Sequence, residues 1–542
     1  MKTIHIKIFG ILSVLLLFWG CESTELDLQV DPSNLSPESA DPDLLLNNIQ
    51  IDFVRALNFN EGNEDGINVR ASEFVRMTHL FGSYTGPFSL APTNINDVWR
   101  DIYSQALQDT RILLPLAESR NLSGHIGVAR VLEAYLIVTL VDIFGKVPYS
   151  EALQGAANAN PNVDDGDAIY QNAFDLIEQG INDISVSKAA GTMPSDLFYN
   201  GDADKWIKFA NTLKLKMYVQ TRLVDNSVSN EINALISSGN LITSIADDFQ
   251  FQYSSAVTPN DSRNPYYTVN YDADGAGDYL NSYYVNLLKA DKGFADPRLR
   301  YYFYRQTNTT PTGDNLPCED KDDSAINFCH LGDFYWTRDH GDDDGVPPDG
   351  PLRSTYGLYP IGGTFDDDSF MSGINNPGAG GAGIFPIMLS SFSKFLQAEA
   401  ALMLNTTGDP KMLLESAIQD SMDKVLNFQG GATDPSFAAS AQDVADYIAF
   451  VMTQYDAAAT QNDRLNVIMK EYYIALWGNG IEAYNNYRRT SMPLDISDHV
   501  ATPGPFPRSF LYPANFVTLN SSVSQKSVTE KVFWDANPDN LN

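Results

Sequence analysis

The residues with which this chain could do chemistry are 69 aspartates and glutamates, six histidines and three cysteines, spread over 542 residues. The histidines show no HExxH or comparable helical spacing for a metal ion. Neither a G-x-S-x-G nucleophile elbow nor a Walker loop occurs. Carboxylates are so frequent that some pair would look like an acid and a base wherever one searched, so they single out no catalytic dyad. No catalytic residue and no cofactor is expected, and a hydrolase without a recognisable motif stays open as the rival class. The run Asp342-Asp343-Asp344-Gly345 comes nearest to a metal site, because calcium prefers several carboxylate oxygens. It fails the EF-hand spacing: with Gly345 at the sixth position, His340 would stand first and Pro351 twelfth. A solvated turn is expected there and at Asp366-Asp367-Asp368, with a structural calcium ion as the alternative.

Binding is better supplied than catalysis. A sugar has an apolar CH face and a rim of hydroxyls, so an aromatic ring beside hydrogen-bonding groups matches both surfaces. Trp336 and Tyr335 beside Asp333 and Arg338 form such a group, and Tyr266 and Tyr267 are further candidates. Residues 249–370 hold 22 of the chain's 62 aromatic residues, amid many Gly, Pro and Asp. That enrichment marks loops carried on a scaffold, where binding sites usually reside. The alternative for each ring is that it fills a loop core.

The elements that must position these loops read as helices. From Val128 to Ile143 apolar residues fall on nearly every side of a 3.6-residue wheel, interrupted by Arg130, Glu133, Thr139 and Asp142, which predicts a core helix wrapped by others. Gly145 and Pro148 end it. Further helices are expected over 44–57, 94–116, 166–184 and 204–222, then over 389–404, 410–426, 441–452 and 462–478. Asp164-Asp165 and Asp202 are N-cap candidates. Tyr170, Ala173, Phe174, Ile177 and Ile181 repeat at three and four, as do Trp206, Phe209, Ala210, Leu213 and Met217, so paired helices would stack as tetratricopeptide-type hairpins. Short strands are expected at 249–253 and 300–304, and a flexible glycine hinge at 378–383.

The formal charge of −34 repels phosphate backbones and anionic headgroups, which argues against nucleic acid as a partner. Lys2 and Lys7, the apolar residues 8–19 and Gly20-Cys21 make an export signal with the small residue before cysteine of a bacterial lipobox. Cys21 would then be acylated and tether a body that remains in water. Two thiols are left, Cys318 and Cys329, and a disulfide between them is expected outside the cytoplasm, against two unrelated buried thiols.

Three stretches carry a resemblance. Asp142-Ile143-Phe144-Gly145-Lys146-Val147-Pro148-Tyr149-Ser150-Glu151-Ala152 resembles the SusD/RagB family of outer-membrane nutrient-binding lipoproteins, in particular its second, SusD-like branch. Residues 477–493, WGNGIEAYNNYRRTSMP, with FPRSFLYP at 506–513, resemble the family's C-terminal signature of an aromatic helix, paired arginines and a Pro-Arg-Tyr-Pro segment. Residues 338–342, 347–349 and 356–360 look like the branch's long middle loop.

The resemblance implies a mostly α fold, a tetratricopeptide-like α/α repeat scaffold with a large loop-rich insertion. It divides the chain into a lipoprotein signal peptide (1–20), a lipidated tether (21–43) and one domain (44–542). Within that domain the scaffold is 44–245 and 388–490, the insertion 246–387, and the irregular C-terminal segment 491–542. It implies a surface-exposed outer-membrane lipoprotein that binds an oligosaccharide, or a peptide as RagB-like members do. The partner would be a SusC-like TonB-dependent transporter. The family's ligands typically lie against the loop at 82–94, which makes Tyr84, Phe88 and Asn94 candidates, and Tyr84 and Asn94 are expected to converge with Trp336 and Tyr335 at one exposed cleft. Arg488 and Arg489 are expected to be structural, pairing with carboxylates or carbonyls where loops meet helices.

Overall fold

The apolar stretch around Val128 to Ile143 forms the helix Ser123–Phe144, in which every residue after Ser123 except Arg130 is buried. The computed structural model describes residues 40–58, 66–271, 275–310, 331–500 and 502–542. Cys21, Cys318 and Cys329 lie outside them, and so do the lipidation and disulfide expectations. Each polar interruption of this central helix is matched. Arg130 pairs with Asp183, and Glu133 accepts from Arg111 at 2.7 Å and from the Tyr149 hydroxyl at 2.9 Å. The Thr139 hydroxyl donates to the Tyr135 carbonyl, and Asp142 sits among donors described below. Gly145, at φ +80°, ends the helix in a conformation that favours glycine.

The neighbouring helix Gly166–Ala190 crosses the central one at glycine. A Cβ on Gly127 would lie 2.8 Å from the Gly180 carbonyl oxygen, and one on Gly180 would lie 3.0 Å from that of Gly127. The two backbones approach this closely because neither residue has a side chain. Around this pair, residues from Pro42 to Asn542 form one compact unit in which consecutive helices pack in pairs. Gly166–Ala190 pairs with Ala203–Thr221, Ser390–Leu404 with Pro410–Leu426, and Ala441–Ala457 with Gln461–Ala475. Asp202 caps its helix by accepting from the backbone of Asp204 and Lys205, while Ser440 with Asp443 and Thr460 with Asp463 form capping boxes. Asp164 does not cap a helix. Its carboxylate accepts from the backbone N–H groups of Tyr149 and Ser150 and closes the turn after the central helix. The fold is mostly α with tetratricopeptide-like helical repeats, as expected. Among the described residues no helix is long and apolar enough to cross a membrane.

Three local expectations change. The stretch 94–116 is a 3-10 turn (Pro92–Ile95), a short α-turn (Asn96–Trp99), a π-helical run (Arg100–Leu107) and an α-helix (Gln108–Ser119). At 300–304 a helical turn, Leu299–Tyr302, precedes the two-residue strand Phe303–Tyr304, which pairs with Thr355–Tyr356. The glycine-rich 378–383 is no loose hinge: Cβ atoms would lie 1.9 Å from the Gly363 carbonyl oxygen at Gly378 and 2.3 Å from the Ile361 carbonyl carbon at Gly383. These glycines let two backbone segments pack directly. The strand Phe249–Gln252 pairs antiparallel with Ile384–Met388, so the aromatic-rich segment leaves and rejoins the helices at one two-stranded clasp.

Buried ion pairs join the helices Ser123–Phe144 and Ala203–Thr221 to Ser390–Leu404 and Gly480–Thr490. Lys216 reaches Glu482 at 2.7 Å and Asp142 at 3.4 Å. Arg489 donates to both carboxylate oxygens of Glu399, at 2.9 and 2.7 Å, and Arg222 adds a bond at 2.7 Å. Burial pushes the Glu399 carboxyl up, but Arg489 and Arg222 outweigh it and hold it at about 2. Its folded value lies below the ordinary carboxylate value, so its contribution is complete above roughly pH 4.3 and is lost as pH falls toward 2. We expect this window to remove on the order of 3 kcal/mol of stability. Urea unfolding of the wild type and of Glu399→Gln between pH 2 and 5 checks it, since the variant should show a shallower dependence.

Candidate functional site

Two of the three sequence stretches that carry the resemblance meet at Asp142. Its carboxylate accepts from the Tyr170 hydroxyl, from the Trp534 indole at 2.8 Å and from the Asn485 amide at 3.2 Å, and it also faces Lys216. Arg488 donates to the backbone carbonyls of Asp142 and Arg508 at 2.6 and 2.7 Å, and its guanidinium lies 4.0 Å from the Tyr484 ring centre and 4.8 Å from that of Trp534. Both arginines are buried and bonded within the scaffold, as expected of them. These motifs hold the body together, and a ligand must be sought elsewhere.

Trp477 links this body to the loops. Its indole stacks on Tyr284 and Tyr356, with ring centres 5.1 and 4.9 Å away, and Tyr356 meets Tyr266 at 5.5 Å. Tyr266 and Tyr356 then form the base of an open cleft of about 620 Å³. One wall is the helix Ile67–Phe74, which presents Val69, Arg70 and Glu73. The second is the loop at 81–94, with Phe81, Pro87, Phe88 and Asn94, and the third comes from the insertion, with Asp278, Tyr279, Asp343 and Val346.

The cleft's shape is fixed by bonds behind its surface. Arg70 donates to both Glu73 oxygens at 2.9 Å and to the Phe88 carbonyl at 2.9 Å, and the Asn94 amide donates to the carbonyls of Pro87 and Ser89 at 3.0 Å. The backbone on either side of Phe88 is thereby fixed, its ring is 71% exposed, and Val346 on the same cleft is 66% exposed. Beneath, the Arg338 guanidinium lies 4.7 Å from the Phe81 ring centre and 5.0 Å from that of Tyr279, and donates to the Gly345 carbonyl at 2.6 Å. Burial, reinforced by Arg338, pushes the His79 imidazole well below its usual value. Neutral His79 therefore donates from Nε2 to the Asp342 carbonyl at 3.0 Å, which fixes the loop carrying Asp343.

Of the nine residues expected to bind, Phe88, Asn94 and Tyr266 line this cleft. Arg338 supports it from below. The expected convergence of Trp336, Tyr335 and Tyr84 on an exposed cleft is corrected, because all three are buried. Trp336, 2% exposed, is held through its backbone by Ser354, and Tyr335 lies under the Arg305 guanidinium at 5.0 Å. Tyr84 packs against Phe74, His340, His499 and Phe506. Tyr267 stacks on Tyr271 with ring centres 4.6 Å apart, and Asp333 pairs with Lys289 at 3.0 Å away from the cleft. A segment with little secondary structure must build a core from its own large side chains, so most of its rings go inward. The acidic runs differ too. Asp342 accepts the Asp344 backbone N–H in a turn but is itself buried, 3.5 Å from Arg338, and Asp366 is no solvated turn residue either: it is fully buried and grips Arg305 at 2.7 and 3.0 Å. Sequence reading missed Arg70, Glu73, Phe81, Tyr279 and Val346. Only Tyr279, inside the aromatic-rich segment, carried a signal.

Stacked helical hairpins carrying a cleft built from an early loop and a long insertion define an α/α-repeat scaffold with a loop-built site. A family model described as "Starch-binding associating with outer membrane" matches residues 33–332, and one described as "Susd and RagB outer membrane lipoprotein" matches residues 383–503. The chain belongs to the SusD/RagB family. Among solved structures, a chitin-binding protein is 21% identical with a TM-score of 0.66, over 92% of this chain and 100% of its own. A SusD/RagB family protein from Bacteroides thetaiotaomicron is 20% identical with a TM-score of 0.64, over 92% and 100%. A chitin-binding SusD homologue from Flavobacterium johnsoniae is 18% identical with a TM-score of 0.62, over 92% and 98%. At these identities the shared property is the fold. Among curated proteins none matches the sequence.

Proposed function

We propose that the protein binds an oligosaccharide in the cleft under Phe88 and delivers it, without cleaving it, to a SusC-like TonB-dependent transporter. Acylation at Cys21 and a tether up to residue 41 would anchor the body, which begins at the helix Pro42–Leu57, at the cell surface. The carrying observation is an aromatic ring, 71% exposed on a loop whose backbone is fixed by hydrogen bonds, in a cleft lined also by Glu73, Asp278 and Asp343. An apolar face beside carboxylate acceptors suits a sugar's CH surface and its hydroxyls, and a pre-shaped cleft limits the ordering cost of binding. The family's starch-binding description and the chitin-binding names of two structural neighbours support the same ligand class.

Calorimetry with maltotetraose, tetra-N-acetylchitotetraose and a peptide pool tests the reading. Phe88→Ala should weaken sugar binding roughly tenfold or more, by analogy with the ~1–3 kcal/mol lost when a stacking ring is removed. Its melting temperature should be unchanged, because the ring is mostly exposed. Binding of peptides alone would replace the sugar reading with a peptide one. Products released from the tetramers would make the protein a hydrolase.

A further inference from the structure

A second cleft, of about 560 Å³, opens where the insertion meets the helix Ala441–Ala457. Three phenylalanines from separate segments wall it: Phe294, Phe437 and Phe450. Phe294 is 39% exposed, and its ring meets Phe450 edge-on with centres 5.2 Å apart. The Arg300 guanidinium lies 5.1 Å from the Phe437 ring centre, and Asp443 and Asp446 are among the other lining residues.

The polar groups are fixed in advance. Asp443 accepts the Ser440 backbone N–H and hydroxyl, each at 2.7 Å. Arg300 donates to the Asp366 carbonyl and the Asp368 carboxylate, each at 2.8 Å, so its charge is already neutralised within the insertion. Asp443 and Asp446 leave the cleft negative, which disfavours an anionic ligand and leaves carboxylate oxygens to accept hydroxyl protons. Partly exposed rings, Phe294 and Phe450 held by their edge contact and Phe437 under the Arg300 guanidinium, offer apolar faces at little ordering cost.

We infer that this cleft is a second site for a neutral oligosaccharide, separate from the one under Phe88; the inference rests on the glycan reading of the first. Two sites on one body would hold a long polysaccharide more firmly than either alone, because the second contact becomes intramolecular.

Calorimetric stoichiometry with maltotetraose and with tetra-N-acetylchitotetraose, each titrated into the full chain, tests it. The expected result is two sites per chain for the tetramer that binds. Phe294→Ala should leave one site of unchanged affinity, Phe88→Ala should leave the other, and the double variant none. Asp446→Asn, at an exposed position, provides an independent variant and should weaken the second site about tenfold. A single site in the wild type, abolished by Phe88→Ala, would overturn the second cleft and leave the first reading standing. Binding of neither tetramer would overturn both.

Discussion

Replacing Asp142 with leucine is expected to lower the free energy of unfolding by about 3–5 kcal/mol, the range for removing one partner of a buried charged group. The carboxylate receives Tyr170, Trp534 and Asn485 and faces Lys216, so its loss strands donors that have no route to water. Each stranded group costs about 1–3 kcal/mol, and leucine brings no acceptor in exchange. Lys216 keeps Glu482 at 2.7 Å, which limits the damage to the neutral donors and part of one charge. Tyr170→Phe is the contrasting variant: it removes a single donor, leaves the carboxylate its other partners, and should cost about 1 kcal/mol. Denaturant midpoints followed by circular dichroism measure both. Equal effects for the two variants would mean that Asp142 is no hub.

Gly127→Leu is expected to destabilise by about 3 kcal/mol, the upper part of the usual range for overpacking. Helix propensity alone argues the other way, since leaving glycine inside a helix should gain most of about 1 kcal/mol. Sterics reverse the sign. A Cβ at this position meets the Ile184 backbone nitrogen at 2.9 Å and the Gly180 carbonyl oxygen at 2.8 Å, and backbone cannot rotate aside as a side chain would. The helices must separate, and the separation loosens contacts along the whole crossing. A variant as stable as the wild type would show that the helix Gly166–Ala190 can shift without loss.

The helices were legible because their signals are local. An all-round apolar wheel at Val128 to Ile143, repeats at three and four, and Asp202 before Trp206 depend only on neighbours in the chain. The paired arginines were legible for the same reason, as charges in an aromatic helix that had to be satisfied inside. The cleft was not, because which ring faces water is settled by tertiary bonds. Phe88 and Trp336 both look like binding platforms in sequence. What separates them is that Arg70 and Asn94 fix the loop backbone on which the Phe88 ring is exposed, while Ser354 draws the backbone of Trp336 in. Asp342 and Asp366 make the same point for acidic runs: one closes a turn and the other is clasped by an arginine 61 positions away in sequence.

The indole that completes the Asp142 cluster comes from Trp534, 392 positions further along the chain. A ribosome or a secretion channel delivers residues in order, so the central helix exists as polypeptide long before its last partner arrives. Until then Asp142 is a charge without its full complement, in the most apolar helix of the body. The early hairpins can form, but their packing around that charge stays provisional, and the final closure is a late and cooperative event. A chain cut after residue 520 would keep both clefts' side chains and every repeat helix, yet would lack the group that locks them.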